Sequence, residues 1–127
     1  MQRIKHIATF GKDQLKMVEF YQNTFGMKQV HQRDAYGEPS RQAYYLSDGY
    51  INLAMLPARA ERPEGIDHFG FEVEDLPATA AKALANGATK GIAEAPQDGR
   101  FAEGFIRDPS GTRVDLSQVR WLTEAMG

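Results

Sequence analysis

Cysteine is absent from this chain, which removes disulfides, thiolate metal sites and cysteine nucleophiles together. Any metal would have to be held by histidine, carboxylate, amide or water. An excess of positive charge is missing too: 15 Lys and Arg stand against 17 Asp and Glu, a formal net charge of −2. With no basic stripe to neutralise phosphates, nucleic acid is not an expected partner. No apolar run approaches the ~18 residues that a spanning helix needs, and the opening "MQRIKHIATF" lacks the apolar core of a signal peptide. The expectation is a cytoplasmic protein with no membrane partner.

What is present suits a single globular domain over residues 1–127. The chain is 42% hydrophobic and 25% charged, an ordinary mix for a folded domain, and its length can bury a sizeable core. Half of it would be marginal alone.

The chain is organised as a duplication. The segment "KDQLKMVEFYQNTFGM" places Leu15, Val18, Tyr21 or Gln22, and Phe25 at helical spacing, with Asp13 as N-cap and Gly26 as stop. "EDLPATAAKALANGATK" repeats the arrangement, with Asp75 as cap, Pro77 in the first turn, Leu76, Ala80, Ala81 and Leu84 on one side, and Gly87 as stop. Strand-like pieces follow each helix. They are "KQVHQR", "RQAYYLS" and "YINLAML" in the first half, and "TKGIAEA", "FAEGFIR" and "TRVDLSQV" in the second. Each half therefore reads βαβββ, with module 1 near 1–57, a linker at 58–64, module 2 near 65–119 and a tail at 120–127. "IKHIATF" and "IDHFGFEV" open the halves, with His6 and His68 offset by 62 positions.

Side chains alternate across a strand, so parity sorts each one into two faces. Phe69, Phe71 and Val73 share the face that must meet helices, and His68, Gly70 and Glu72 share the other. By the same rule Ile51, Leu53 and Met55 oppose Tyr50, Asn52 and Ala54, while Val114 and Leu116 oppose Arg113, Asp115 and Ser117. In the first strand His6 and Ala8 oppose Ile7. The face away from the helices is small and polar and is expected to line a cavity or meet water, not to form a second core. The repeat puts His6, Asn52, His68 and Asp115 at equivalent places on it. Each alone has a plain structural explanation, but two imidazoles, a carboxylate and an amide together are a set of metal ligands. The remaining histidine, His31, reads as a surface strand residue. "RDPSGT" is a turn motif without assigned chemistry, and Trp121, Leu122 and Met126 read as a short packing helix.

The duplicated unit, the two histidine strands, "FYQNTFGM" and "RDPSGTRVDL" resemble the vicinal oxygen chelate superfamily. That family includes glyoxalase I, extradiol dioxygenases, fosfomycin-resistance enzymes, methylmalonyl-CoA epimerase and bleomycin-resistance proteins. The resemblance implies an α+β fold in which two βαβββ modules form an open, cup-shaped mixed sheet with helices on the convex face, often in a homodimer. It also implies metal ligation by His6, His68 and Asp115, with Asn52 as a weak fourth ligand where glyoxalase I has glutamate. Most members carry glutamate at the position of Asp115. An amide is a very poor proton acceptor, so Asn52 argues against a glyoxalase-type or epimerase-type proton shuttle. Fosfomycin-resistance members carry threonine at the position of Ala8.

The implied function is a metal-dependent, lyase-like or dioxygenase-like enzyme acting on a small oxygenated substrate in the cup. The ion would be divalent, with Fe, Mn, Zn, Ni and Mg all compatible. Tyr45, Tyr50 and Arg113 are candidates for the substrate pocket, and Arg41, Arg107 and Arg113 read either as partners for an anionic substrate group or as ordinary solvated charges. The alternative is a non-catalytic protein that sequesters a small molecule, as bleomycin-resistance members do, with a degenerate metal site.

Overall fold

Both helices are delimited by the chemistry of their ends. The computed structural model describes residues 2–32, 42–92, 104–118 and 121–124; Arg41, Met126 and the side chain of His31 lie outside the described residues. Helix α1 (Gln14–Phe25) begins where the Asp13 carboxylate accepts from the Lys16 amide, and it stops at Gly26, whose φ of 70° turns the chain out of the helix. Helix α2 (Leu76–Ala85) begins where the Asp75 carboxylate accepts from the Ala78 amide at 2.9 Å, with Pro77 in its first turn. Gly87, at φ 100°, follows its end.

The strands are β1 (Arg3–Gly11), β2 (Lys28–Gln32), β3 (Tyr44–Ser47), β4 (Asn52–Pro57), β5 (Gly65–Glu72), β6 (Lys90–Ile92), β7 (Gly104–Arg107) and β8 (Arg113–Ser117). With α1 after β1 and α2 after β5, the βαβββ order occurs twice, and the fold is α+β. Pairing is mixed. β5 and β8 run parallel, whereas β2–β3, β3–β4, β6–β7 and β7–β8 are antiparallel. No helix among the described residues is long and apolar enough to cross a membrane.

The chain divides into two compact units, and the division falls inside strands. One unit comprises Met1–His6 and His68–Trp121, the other Ile7–Asp67 and Leu122–Gly127. His6 is thereby grouped with the strands of the second repeat.

In the first unit the strand order is β1-β5-β8-β7-β6. Val73, Leu76 and Leu116 form its buried apolar cluster, with Phe71 and Ile106 packed against it. Burying a side chain such as Leu116 contributes ~1.5–3 kcal/mol. Helix α2 lies so close to β6 that a Cβ on Gly91 would sit 3.3 Å from Leu84 and 3.4 Å from the Ala80 carbonyl. The turn from β7 to β8 is fixed by Asp108, whose Oδ1 accepts from the amides of Ser110 and Thr112 at 2.9 and 3.0 Å. The register that follows puts Phe105 opposite Asp115 and Arg107 opposite Arg113.

In the second unit the order is β2-β3-β4-β1. Val18, Tyr44, Leu46 and Met55 are buried together, with Met17, Tyr21, Met27 and Leu53 against them. The buried stripe of α1 is not the one expected from its spacing. Leu15 and Phe25 are exposed, whereas Gln14 is fully buried. The 14/17/18/21 positions and the 15/18/22/25 positions are overlapping stripes on a helix of 3.6 residues per turn, and the sheet takes the first because it presents Tyr44, Leu46 and Met55 to Met17 and Tyr21. The sheet face opposite α1 also departs from the small, polar lining expected. Ala8, Val30, Ala43, Tyr45 and Ala54 form a second buried apolar cluster there, joined by Leu56. Three alanines leave the space that one tyrosine ring fills.

Candidate metal centre

Three neighbouring strands of the first unit each supply one buried polar side chain to a single point. His6 comes from β1, His68 from β5 and Asp115 from β8, and they are 5%, 6% and 4% exposed. The Asp115 Oδ2 atom lies 3.1 Å from His68 Nε2 and 3.8 Å from His6 Nε2. One ligand atom from each of the three residues falls within 4.8 Å of the others, and the imidazole centroids are 5.4 Å apart.

Parity explains why the three meet. Gly70 stands beside Asp115 in the parallel β5–β8 register, so His68, two residues earlier, shares the face of Asp115 and of Arg113. Arg113 completes the carboxylate's surroundings by donating from Nε to Asp115 Oδ1 at 2.7 Å. The two carboxylate oxygens thus have different duties: Oδ1 is held by the guanidinium, and Oδ2 faces both imidazoles. Burial works to raise the pKa of Asp115, but the hydrogen bond and charge of His68, together with Arg113, outweigh it and hold the carboxyl at about 2 against 3.8 ordinarily. The carboxylate is therefore ionised throughout the neutral range.

Trp121 closes one side of the cluster. Its ring stacks on His6, with centroids 4.8 Å apart and an interplanar angle of 0°, and it is buried. The space it occupies exists because residue 70 is glycine: a Cβ there would lie 2.8 Å from the indole and 3.1 Å from the Asp115 carbonyl oxygen. Two hydrogen bonds tie down the segment after β8. The Gln118 side chain accepts from the Leu76 amide, and Glu72 Oε2 accepts from the Trp121 amide at 3.1 Å. Trp121 and Leu122 are not in a helix, so the expected terminal helix is absent over the described residues of this segment.

Asn52 is in the second unit, fully buried, and its Nδ2 donates to the Leu122 carbonyl at 2.8 Å. Its Oδ1 has no hydrogen-bond partner among the described residues. Tyr45 is buried in the apolar cluster of that unit, and Tyr50 is 74% exposed. Sequence reasoning gave no role to Glu72 and treated Trp121 as packing. The one signal available was the glycine between His68 and Glu72, which marks a gap on their shared face.

Residues 3–116 match the Glyoxalase/Bleomycin resistance protein/Dioxygenase superfamily. The chain belongs to this superfamily. No curated protein gives a match. Among solved structures, the hypothetical protein BH1468 from Bacillus halodurans C-125 is similar at a TM-score of 0.73 and 19% identity, covering 97% of this chain and 98% of that one. The 2,3-dioxygenase LapB from Pseudomonas sp. KL28 gives 0.69 and 22%, covering 94% of this chain but only 41% of the dioxygenase. Methylmalonyl-CoA epimerase from Mycobacterium tuberculosis gives 0.66 and 20%, covering 89% and 85%. At these identities the structural likeness concerns the fold.

The donor set of this superfamily member fits a divalent metal. Two imidazoles and a carboxylate that is ionised at neutral pH are ligands for Zn, Mn, Fe or Ni. The arginine on Oδ1 gives the carboxylate a second partner of the kind that commonly orients metal ligands.

Proposed function

We propose that this chain is a divalent-metal-dependent enzyme acting on a small oxygenated substrate, with His6, His68 and Asp115 as the metal ligands. The observation that carries the reading is the convergence of both imidazoles on one carboxylate oxygen, with the other oxygen held by Arg113. When bound, a divalent ion would supply a Lewis acid for substrate oxygens. The protein's own residues do the rest. Arg113 keeps the Asp115 carboxylate ionised and oriented, and Trp121 fixes the plane of the His6 ring and excludes water from one side of it. Asn52 presents an amide oxygen, which accepts hydrogen bonds but is a very poor base. Chemistry that needs a carboxylate base at that position is therefore disfavoured. Membership of a superfamily that includes dioxygenases supports a lyase-like or dioxygenase-like reaction. The same reading takes the chain as one domain, working in the cytoplasm as a homodimer.

Titration of the chelator-treated protein with Mn²⁺ or Zn²⁺ by calorimetry tests the ligand assignment. One ion should bind per chain, and His68→Ala or Asp115→Ala should weaken binding at least ~100-fold, since each removes a direct ligand. Unchanged affinity in both variants would overturn it.

A second reading, ligand sequestration without metal, is favoured by the neutral Asn52. It predicts that organic ligands raise the melting temperature of metal-free protein, whereas the metal reading predicts stabilisation only after metal is added.

A further inference from the structure

Beside the triad, on the same sheet face, three cations stand in one file across three strands. Arg107 is directly opposite Arg113 on one side and Lys90 on the other. Directly opposed residues share a face, so Lys90, Arg107 and Arg113 form a row adjoining the row of Asp115 and Phe105. All three gather on the Phe105 ring. The Arg113 guanidinium lies 4.2 Å from its centroid, the Lys90 ammonium 5.5 Å and the Arg107 guanidinium 6.0 Å. A ring face attracts cations but does not neutralise them.

Among the described residues, counter-charge on this file is scarce. Arg113 reaches Asp115 through Nε and makes no other hydrogen bond or ion pair among the described residues. Arg107 donates to the neutral Gly111 carbonyl at 3.0 Å. The nearby Asp108 accepts with Oδ1 from the turn amides. Among the described residues neither Lys90 nor Arg107 has a carboxylate within ion-pair distance. Burial falls outward from Asp115 along the file: Asp115, in the adjoining row, is buried, Arg113 and Arg107 are half-buried, and Lys90 is exposed. The row therefore leads from the triad to solvent.

We propose that Arg113, Arg107 and Lys90 form a subsite for an anionic group, a carboxylate or a phosphate, on the same substrate whose oxygens reach the triad. This rests on the metal-centre reading above and adds to it a substrate class: a small oxygenated molecule with a second, anionic end. Neighbouring strands are ~4.8 Å apart, so the file offers positive charge within ~5–10 Å of Arg113, the length of a two- to five-carbon acid. The planar guanidiniums suit two-point contact with either anion.

The test uses the full chain loaded with Mn²⁺ and three probes. Glycerate offers a chelating pair of carboxylate and 2-hydroxyl oxygens, 3-phosphoglycerate keeps that pair and adds a phosphate on its third carbon, and inorganic phosphate is applied to the metal-free protein. 3-Phosphoglycerate should bind the loaded protein at least ~10-fold more tightly than glycerate, with the preference weakening as salt is raised. Lys90→Gln and Arg107→Gln should each reduce that preference several-fold while leaving Mn²⁺ affinity unchanged. Lys90, an exposed side chain, keeps the test open if Arg107→Gln disturbs the turn. Equal affinity for the two acids, or a preference that survives both substitutions, would overturn the subsite. Failure of the Mn²⁺ titration would instead sink the metal reading. Phosphate binding to metal-free protein, and its loss in Lys90→Gln, then decides the cationic file separately: binding that is lost supports it, and no binding refutes it.

Discussion

Gly70→Ala is the smallest change that probes the packing over the candidate metal centre. The new Cβ would lie 2.8 Å from the Trp121 indole and 3.1 Å from the Asp115 carbonyl oxygen, against a comfortable carbon–carbon separation of ~3.5–4.0 Å. The carbonyl belongs to a paired strand and cannot yield, so the indole must move by ~1 Å or the strands must separate. Overpacking of this kind costs ~1–3 kcal/mol. Gly70 does not have a positive φ, so alanine also gains ~0.4–1 kcal/mol by restricting the unfolded chain. The net expectation is a loss of ~1–2 kcal/mol, visible as a melting temperature lower by ~3–8 °C. The decisive assay is a double-mutant cycle with Trp121→Ala, followed by urea unfolding and far-ultraviolet circular dichroism. Trp121→Ala alone removes a buried aromatic side chain and should cost ~3–5 kcal/mol. In that background the indole clash is gone and only the 3.1 Å approach to the Asp115 carbonyl remains, so Gly70→Ala should cost clearly less and the coupling should reach ~1 kcal/mol. Equal costs of Gly70→Ala in both backgrounds would refute the placement of the indole over residue 70.

Other outcomes follow from the same geometry. The Asp115 carboxyl is held at about 2 in the folded chain against an ordinary 3.8, so its contribution is present above pH ~4 and is lost as pH falls toward 2. The difference is worth about 2 kcal/mol. Unfolding of metal-free protein between pH 5 and 2 should show that loss, and Asp115→Asn should lack it; identical pH slopes would count against the pairing with His68 and Arg113. Asp75→Ala removes the side-chain acceptor for the Ala78 amide and should cost ~1 kcal/mol in thermal unfolding, whereas Asp75→Asn should cost clearly less.

Local chemistry made much of the fold legible from the sequence. Asp13 with Gly26, and Asp75 with Gly87, delimit the helices because caps and stops act within a few residues of chain. Parity in β5 placed His68 opposite Phe69 and Phe71, and the repeat brought His6 to the same face. What the sequence did not yield depends on contacts between distant segments. Nothing local distinguishes an arginine that holds Asp115 from one in water, and Arg113 was only one of several pocket candidates. Trp121 on His6 requires the segment after β8 to double back over Gly70. The buried stripe of α1 went to Gln14 and Met17, not to Leu15 and Phe25, because two stripes overlap on that helix and only the sheet's side chains choose between them. Tyr45 fills a gap between alanines that alternation alone had assigned to a polar cavity.

The grouping of His6 with His68 and Asp115 has a bearing on how the protein is made. Its members come from β1, β5 and β8, so the first histidine leaves the ribosome long before its partners exist. The carboxylate that joins the two imidazoles arrives with β8, and the indole that stacks on His6 follows it. A long-range cluster of this kind forms late, because closing so large a loop must precede any gain from the contact. During synthesis the emerging histidines therefore offer no more than a fragment of the candidate ligand set until β8 and Trp121 have followed them.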